Sequence, residues 1–146
     1  MEKTVILPED RTIAAADGTD PASSYGVVTQ HSGYRRVVFS GSCVPEGDAP
    51  EQVRRILTHK RFALEDLGGS MDDVVSMQCF VRSDVLSRDT QTAIHEVRHE
   101  FFTRPHLPAS TMVGVASLLD PDALVEIELE AEIPDDEWET QVLTGD

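Results

Sequence analysis

The apolar positions of this chain change their period along its length, and the changes mark its elements. Residues 3–7 (KTVIL) and 12–15 (TIAA) are short apolar runs that predict strands, and residues 16–24 (ADGTDPASS) read as loop. Val27 to Gln30 and Arg36 to Ser40 are apolar and β-branched around His31-Ser32-Gly33-Tyr34, the pattern of a hairpin. Pro45 to Asp48 breaks the second strand. From Pro50 the period lengthens: Val53, Ile56, Leu57, Phe62, Leu64 and Leu67 recur at near-helical spacing until Gly68-Gly69. Beyond Ser70 and Asp72, the residues Val75, Met77, Cys79 and Val81 alternate as a strand does. A second helix is expected from about Ser87 to Phe102, with Ala93, Ile94, Val97 and Phe101 as its stripe and Pro105 and Pro108 past its end. Two more strands fall within 108–134. The tail, 135–146, is acidic and expected to be mobile unless Trp138 docks it.

The order of strands, helix, strand, helix, strands predicts an α+β fold, a mixed sheet covered on one face by two helices. At 146 residues the chain fits one domain, placed at 1–134, with 135–146 as a tail. Apolar runs nowhere reach the roughly 18 residues of a membrane span. The N-terminus, MEKTVILPEDRT, lacks the basic region and apolar core of a signal peptide, so a cytoplasmic location is the default expectation.

Charge narrows the partners. The chain carries 27 acidic residues against 12 lysines and arginines, a net charge of −15. Such a surface repels nucleic-acid phosphates and anionic membranes. The acids are spread along the chain, which fits a solvated surface adapted to high salt, and a halophilic source, better than a docking surface for a cation. Cys43 and Cys79 form no C-x-x-C pair, so neither a zinc site nor a disulfide framework is expected; the sequence leaves a bridge between the two open. Cys79, in an alternating segment, fits a small packed hydrophobe, and packing is also the expectation for Cys43.

Residues 108–134, PASTMVGVASLLDPDALVEIELEAEIP, form a strand, a tight connection and a second strand. The segment resembles the C-terminal signature of the Rid (reactive intermediate deaminase) or YjgF family, P-A-R-[ST]-x-V-x-V followed by a [VI]-E-I-E-A strand. Val38-Phe39-Ser40-Gly41 is similar to that family's strand ending in S-G. Leu67-Gly68-Gly69-Ser70-Met71-Asp72-Asp73-Val74-Val75 is similar to its A-G-G-S-L-x-D-V-V passage, and Phe80-Val81-Arg82-Ser83-Asp84 to its V-x-[LV]-x-D. Glu96-Val97 and Phe101-Phe102 fit the end of its second helix. The pieces keep the family's order over residues 24 to 134. The resemblance implies a chorismate-mutase-like (YjgF-like) fold and a homotrimer that binds a small-molecule metabolite in clefts at the subunit interfaces. It also implies hydrolysis of enamines and imines such as 2-aminoacrylate, with ammonia release and with no metal or cofactor.

That chemistry needs a cation for the substrate carboxylate, a polar group to place water, and a group to assist proton movement. The resemblance assigns catalysis to Glu126, the glutamate placed to orient water; its alternation with Glu128 and Glu130 also suits an ordinary solvent-facing residue. Gly41 matches the glycine whose backbone lines the cleft, and it also permits a bend. Tyr25 matches the tyrosine of a G-P-Y motif, with Ser23-Ser24 in place of Gly-Pro and a longer spacing to Ser40-Gly41. His95 stands where the family often has an asparagine near the cleft.

Ser110 stands where the active deaminases have their arginine. A serine hydroxyl cannot neutralise a carboxylate, and each lost charge-assisted hydrogen bond costs about 1.5–3 kcal/mol. Either the substrate lacks a carboxylate at that end, or another arginine reaches in; Arg98 and Arg104 are nearest in sequence. Residues 95–99 also match H-E-x-x-H, which in zinc peptidases puts two histidines on one helical turn. His95 and His99 lie well away from the centre of the apolar stripe, and no second motif supplies a third ligand, so no metal is expected. Two readings remain: an enamine or imine deaminase with altered recognition, and a non-catalytic trimeric module that binds a small molecule or a partner. The acidic surface makes its own prediction. Melting temperature rises with added KCl, as calorimetry will show; full stability in dilute buffer would count against adaptation to salt.

Overall fold

The computed structural model describes residues 1–7 and 22–145. The strand expected at 12–15 and most of the loop before Ser23 lie outside the described residues. The elements are β1 (Lys3–Ile6), β2 (Gly26–His31), β3 (Tyr34–Ser42), α1 (Ala49–Asp66), a 3-10 turn (Met71–Asp73), β4 (Val74–Arg82), α2 (Arg88–Arg98), β5 (Ala109–Val115) and β6 (Val125–Pro134). The strands form one mixed sheet in the order β1-β2-β3-β6-β4-β5, in which β4 and β5 are parallel and the other neighbours antiparallel. Both helices cover the same face.

The last strand takes the centre. In β6 the residues Val125, Ile127, Leu129, Ala131 and Ile133 are buried toward the helices, and Glu126, Glu128, Glu130 and Glu132 alternate onto the other face. That second face carries Val38, Ser76, Gln78 and Phe80 from the neighbouring strands, half-buried or exposed.

The α1 helix begins at Asp48, whose side chain accepts from the Glu51 amide at 3.0 Å, and ends where Gly68 takes a φ of +83°. It buries Val53, Ile56, Leu57 and Leu64, and with them Gln52 and Lys60. Phe62, expected in the stripe, is 54% exposed. It lies about 200° around the helix from Lys60, so the inward place falls to the lysine. The Gln52 amide is satisfied: its nitrogen donates to the carbonyls of Gly47 and Asp122, and its oxygen accepts from the Leu124 amide.

The α2 helix stops at Arg98, short of the expected Phe102. Hydrogen bonds from the amides of Glu100, Phe101 and Phe102 back to Val97 and Arg98 tighten the chain there, and Phe102 turns into the core. Cys79 is buried, Cys43 is half-buried, and both are free thiols. No helix of the described residues is long and apolar enough to cross a membrane.

Asp73 ties the tail to the body. One carboxylate oxygen accepts from the Ser70 amide at 2.8 Å and the other from the Trp138 indole at 2.8 Å. Asp73→Ala breaks a capping box and leaves two donors without their partner; a loss of about 1–3 kcal/mol is expected in urea unfolding.

Candidate functional site

The residues singled out in the sequence fall into two clusters. The first sits at the end of β3, where the register against β6 shifts between Phe39 and Ser42. This irregularity turns Gly41 onto Glu126: a Cβ on Gly41 would lie 2.9 Å from the Glu126 carboxyl carbon, so any side chain there would displace the carboxylate. Next along, the Cys43 thiol donates to Glu126 Oε1 at 3.6 Å. Burial, then the Glu126 charge, push that thiol up to about 12, so Cys43 is no nucleophile at neutral pH. Tyr25 joins this end through its carbonyl, which accepts from the Ser40 amide at 2.9 Å, and through edge-on packing against Phe39 with ring centroids 5.5 Å apart.

Lys60 lies behind this cluster and was not among the residues the sequence put forward. Its side chain is fully buried. The amine donates to Ser42 Oγ at 2.7 Å and to the Ser40 carbonyl at 3.3 Å, and stands 4.1 Å from the Tyr25 ring centroid and 4.7 Å from that of Phe39. Burial lowers its pKa from 10.5 to about 7. Among the described residues no carboxylate pairs with it. The signal was present in the sequence: position 60 continues the spacing of Val53, Ile56, Leu57 and Leu64, so a lysine interrupts an apolar stripe.

The second cluster joins β5 to α2. Ser110 pairs with Met77 in the parallel register and so shares the helix-covered face, at the sheet's edge. Arg98 Nη1 donates to Ser110 Oγ at 2.8 Å. Of the two arginines nearest in sequence, Arg98 therefore reaches the serine. One helical turn back, His95 is exposed, and its Nε2 lies 3.1 Å from Nε2 of His99. Among the described residues no group of three or more His, Cys, Asp and Glu side chains is placed to hold a metal ion.

One chain does not join the two clusters. Glu126 lies on the open face of β6, and Ser110 lies on the helix face of β5, two strands and roughly 10 Å across the sheet. Gly41 and Glu126 thus gather at one place, with the Tyr25 ring on the helix side against Phe39 and Lys60, and Ser110, Arg98 and His95 lie at another.

The chain and its fold match known proteins. Residues 20–133 match the family model described as Endoribonuclease L-PSP. The chain is 33% identical over 127 residues to the 3-aminoacrylate deaminase RutC of Acinetobacter baylyi, covering 87% of this chain and 95% of that protein. It is 35% identical over 82 residues to a 2-iminobutanoate/2-iminopropanoate deaminase of Dermatophagoides farinae, 56% of this chain and 59% of that one. Among solved structures, Rv2704 of Mycobacterium tuberculosis, a member of the YjgF/YER057c/UK114 family, superposes with a TM-score of 0.72 at 26% identity, over 90% of this chain and all of that one. NMB1025 of Neisseria meningitidis, a YjgF-family protein, shares the fold with a TM-score of 0.69 at 21% identity, over 94% and 98% of the two chains. Fold and motifs define a YjgF-like α+β protein. The chain belongs to the Rid/YjgF family.

Lys60 generates a stability prediction whose sign is fixed. Its folded pKa is lowered, so between about 7 and 10.5 the unfolded chain binds the extra proton and stability rises with pH. Below that window the full cost of the buried charge is present. Lys60→Met removes it. The variant is expected to exceed the native chain by a few kcal/mol, to order of magnitude, in urea unfolding at pH 6, with the gap closing toward pH 10.

Proposed function

We propose that the chain is an enamine/imine deaminase that acts on a carboxylate-bearing substrate, and that Arg98 supplies the cation which Ser110 cannot. The observation that carries this reading is the Arg98 guanidinium seated on Ser110 Oγ at 2.8 Å. The positive charge comes from α2; the serine and the buried Cys79 thiol each take up a donor, and a guanidinium has five, which leaves others for a carboxylate. Both curated relatives bear the names of deaminases of carboxylate-bearing compounds.

In the proposed reaction an enamine first tautomerises to its imine. Water held by Glu126 adds to the imine carbon, the nitrogen is protonated, and the C–N bond of the resulting carbinolamine breaks to release ammonia and leave the carbonyl product. Gly41 and Tyr25 line the water side. Ser110, Arg98 and His95 line the carboxylate side. Because the two halves lie apart on opposite faces of one sheet, the working unit is a homotrimer in which a neighbouring subunit completes each cleft. Among the described residues no helix lies over the face that bears Glu126, Glu128 and Glu130, which supports its use by that neighbour.

The alternative, a trimeric binding module without turnover, draws on the same serine, since the family arginine is gone from β5. Ammonia release from freshly generated 2-iminopropanoate and 3-aminoacrylate separates the two readings. Native protein is expected to accelerate release, and Arg98→Ala to lower kcat/KM by roughly tenfold or more. The double variant Arg98→Ala/Ser110→Arg returns the cation to β5 and is expected to recover part of the rate. Absence of release above background from both the native chain and Ser110→Arg would sink the deaminase reading. Subunit sharing has its own check. Glu126→Gln and Arg98→Ala proteins, each impaired alone, are expected to regain activity when refolded together as mixed oligomers; mixtures no better than the separate proteins would refute a shared cleft.

A further inference from the structure

Lys60 is a buried titratable group for which the proposed reaction has no use. A lysine among Val53, Ile56, Leu57 and Leu64 costs stability, and an aliphatic side chain would fill the same space. Its contacts show what the amine does there. The bulge at the end of β3 takes residues 40 and 41 out of the regular ladder with β6. Lys60 reaches that segment from the helix layer, donating to the Ser40 carbonyl and to Ser42 Oγ on either side of Gly41. The same amine lies over the rings of Tyr25 and Phe39.

We infer that Lys60 is a positioning residue: its protonated amine ties the Ser40-Gly41-Ser42 strand end to Tyr25 and thereby shapes the half-site in which Gly41 meets Glu126. An ammonium has three donors and no acceptor. Two acceptors and two ring faces surround it, and ring faces attract positive charge. A neutral amine gives up a donor and that attraction, and turns a lone pair toward the same rings and carbonyl. The strand end is then held less tightly, and the half-site with it. The proton is exchangeable near neutral pH, since burial brings the group to about 7.

Among the described residues, the Tyr25 phenol is the one other titratable side chain in contact with the amine. Facing Lys60 are the Tyr25 ring, the Ser40 carbonyl and the Ser42 hydroxyl, and β6 gives the helix layer the apolar Ile127 and Leu129. On α1, His59 is exposed, and Arg61 lies against Phe62 and Phe101. From α2, the side chains turned into the core are Ile94 and Val97. Cys43 and Glu126 meet each other on the far side of the strand end.

The chain has two lysines, Lys3 and Lys60, so protein labelled with 13C-lysine gives two side-chain signals to follow by NMR. The signal missing from Lys60→Met is expected to titrate with a midpoint of about 7. The backbone amides of Tyr25, Ser40, Gly41 and Ser42 are expected to shift with that same midpoint in the native chain and to lose the transition in Lys60→Met. Lys60→Gln, which keeps a donor without the charge, serves as a second folded variant and is expected to lose it too. The turnover arm rests on the deaminase reading: kcat/KM for 2-iminopropanoate is expected to fall severalfold above the midpoint in the native chain and to be flat there in both variants. Strand-end amides that ignore the Lys60 titration, or variants with native amide positions and a native pH profile, overturn the inference. If no protein shows turnover, the deaminase reading fails while the NMR titration still decides the role of Lys60.

Discussion

The strict alternation of β6 is the constraint on which the rest of this structure depends. The strand is last in sequence and central in the sheet, hydrogen-bonded to β3 on one side and to β4 on the other. A one-residue slip would put a row of glutamates under the helices and the valine, isoleucines and leucine outside. The apolar half of the pattern therefore fixes register for the whole sheet, and the acidic half is delivered to the open face as a consequence. Glu126 owes its place in the strand beside Gly41 to packing at Val125 and Ile127, and the Cys43 thiol then meets its carboxylate.

The same constraint keeps the two candidate clusters of one chain apart. Residues on β6 that project away from the helices cannot meet residues on β5 that project toward them. Glu126 and Ser110 are thus held on opposite faces of a thin layer, and the proposed reaction would need a second copy of the chain to bring them together. On the proposed reading, the cation that Ser110 cannot supply comes to β5 from α2. A guanidinium on a helix covers the same strand edge as one on the strand itself, provided the strand residue is small enough to admit it. Ser110 is small and also accepts one of the Arg98 donors.

The fold was legible in the sequence wherever period and punctuation agreed. The hairpin around Ser32-Gly33 and the alternation of β6 appear as read, and α1 begins at Ala49, one residue before the expected Pro50; in β4 Met77, Cys79 and Val81 are buried in turn, but the irregularity between Val74 and Ser76 buries Val74 in place of Val75. The errors have local causes. Phe62 was placed in the α1 stripe on hydrophobicity alone, although the 3.6-residue period puts Lys60 inward, as the buried lysine confirms. The C-terminal end of α2 was drawn past Arg98 because Phe101 and Phe102 are apolar, whereas Phe102 reaches the core from a tighter turn. Strand order was beyond the sequence pattern, since nothing local says that the last strand inserts between the third and fourth. The link from Arg98 to Ser110 depends on a helix crossing an edge strand, a relation that sequence distance does not encode.

Lys60 and Arg98 represent opposite uses of positive charge in a chain of net charge −15. Abundant acids make a surface cation easy to pair: Arg36, Arg54, Arg55 and Arg82 each hold a carboxylate. A cation kept for another purpose must be withheld from them. Arg98 is withheld by the serine, a neutral partner that orients the guanidinium without cancelling its charge. Lys60 is withheld by burial, behind two aromatic rings and a strand end, where no carboxylate of the described residues follows it. Burial that excludes acids also removes the solvation that would keep the amine charged, so the group that escapes pairing is brought to a pKa of about 7. Sensitivity at the strand end of β3 is then the physical consequence of placing an unpaired cation inside an acidic protein.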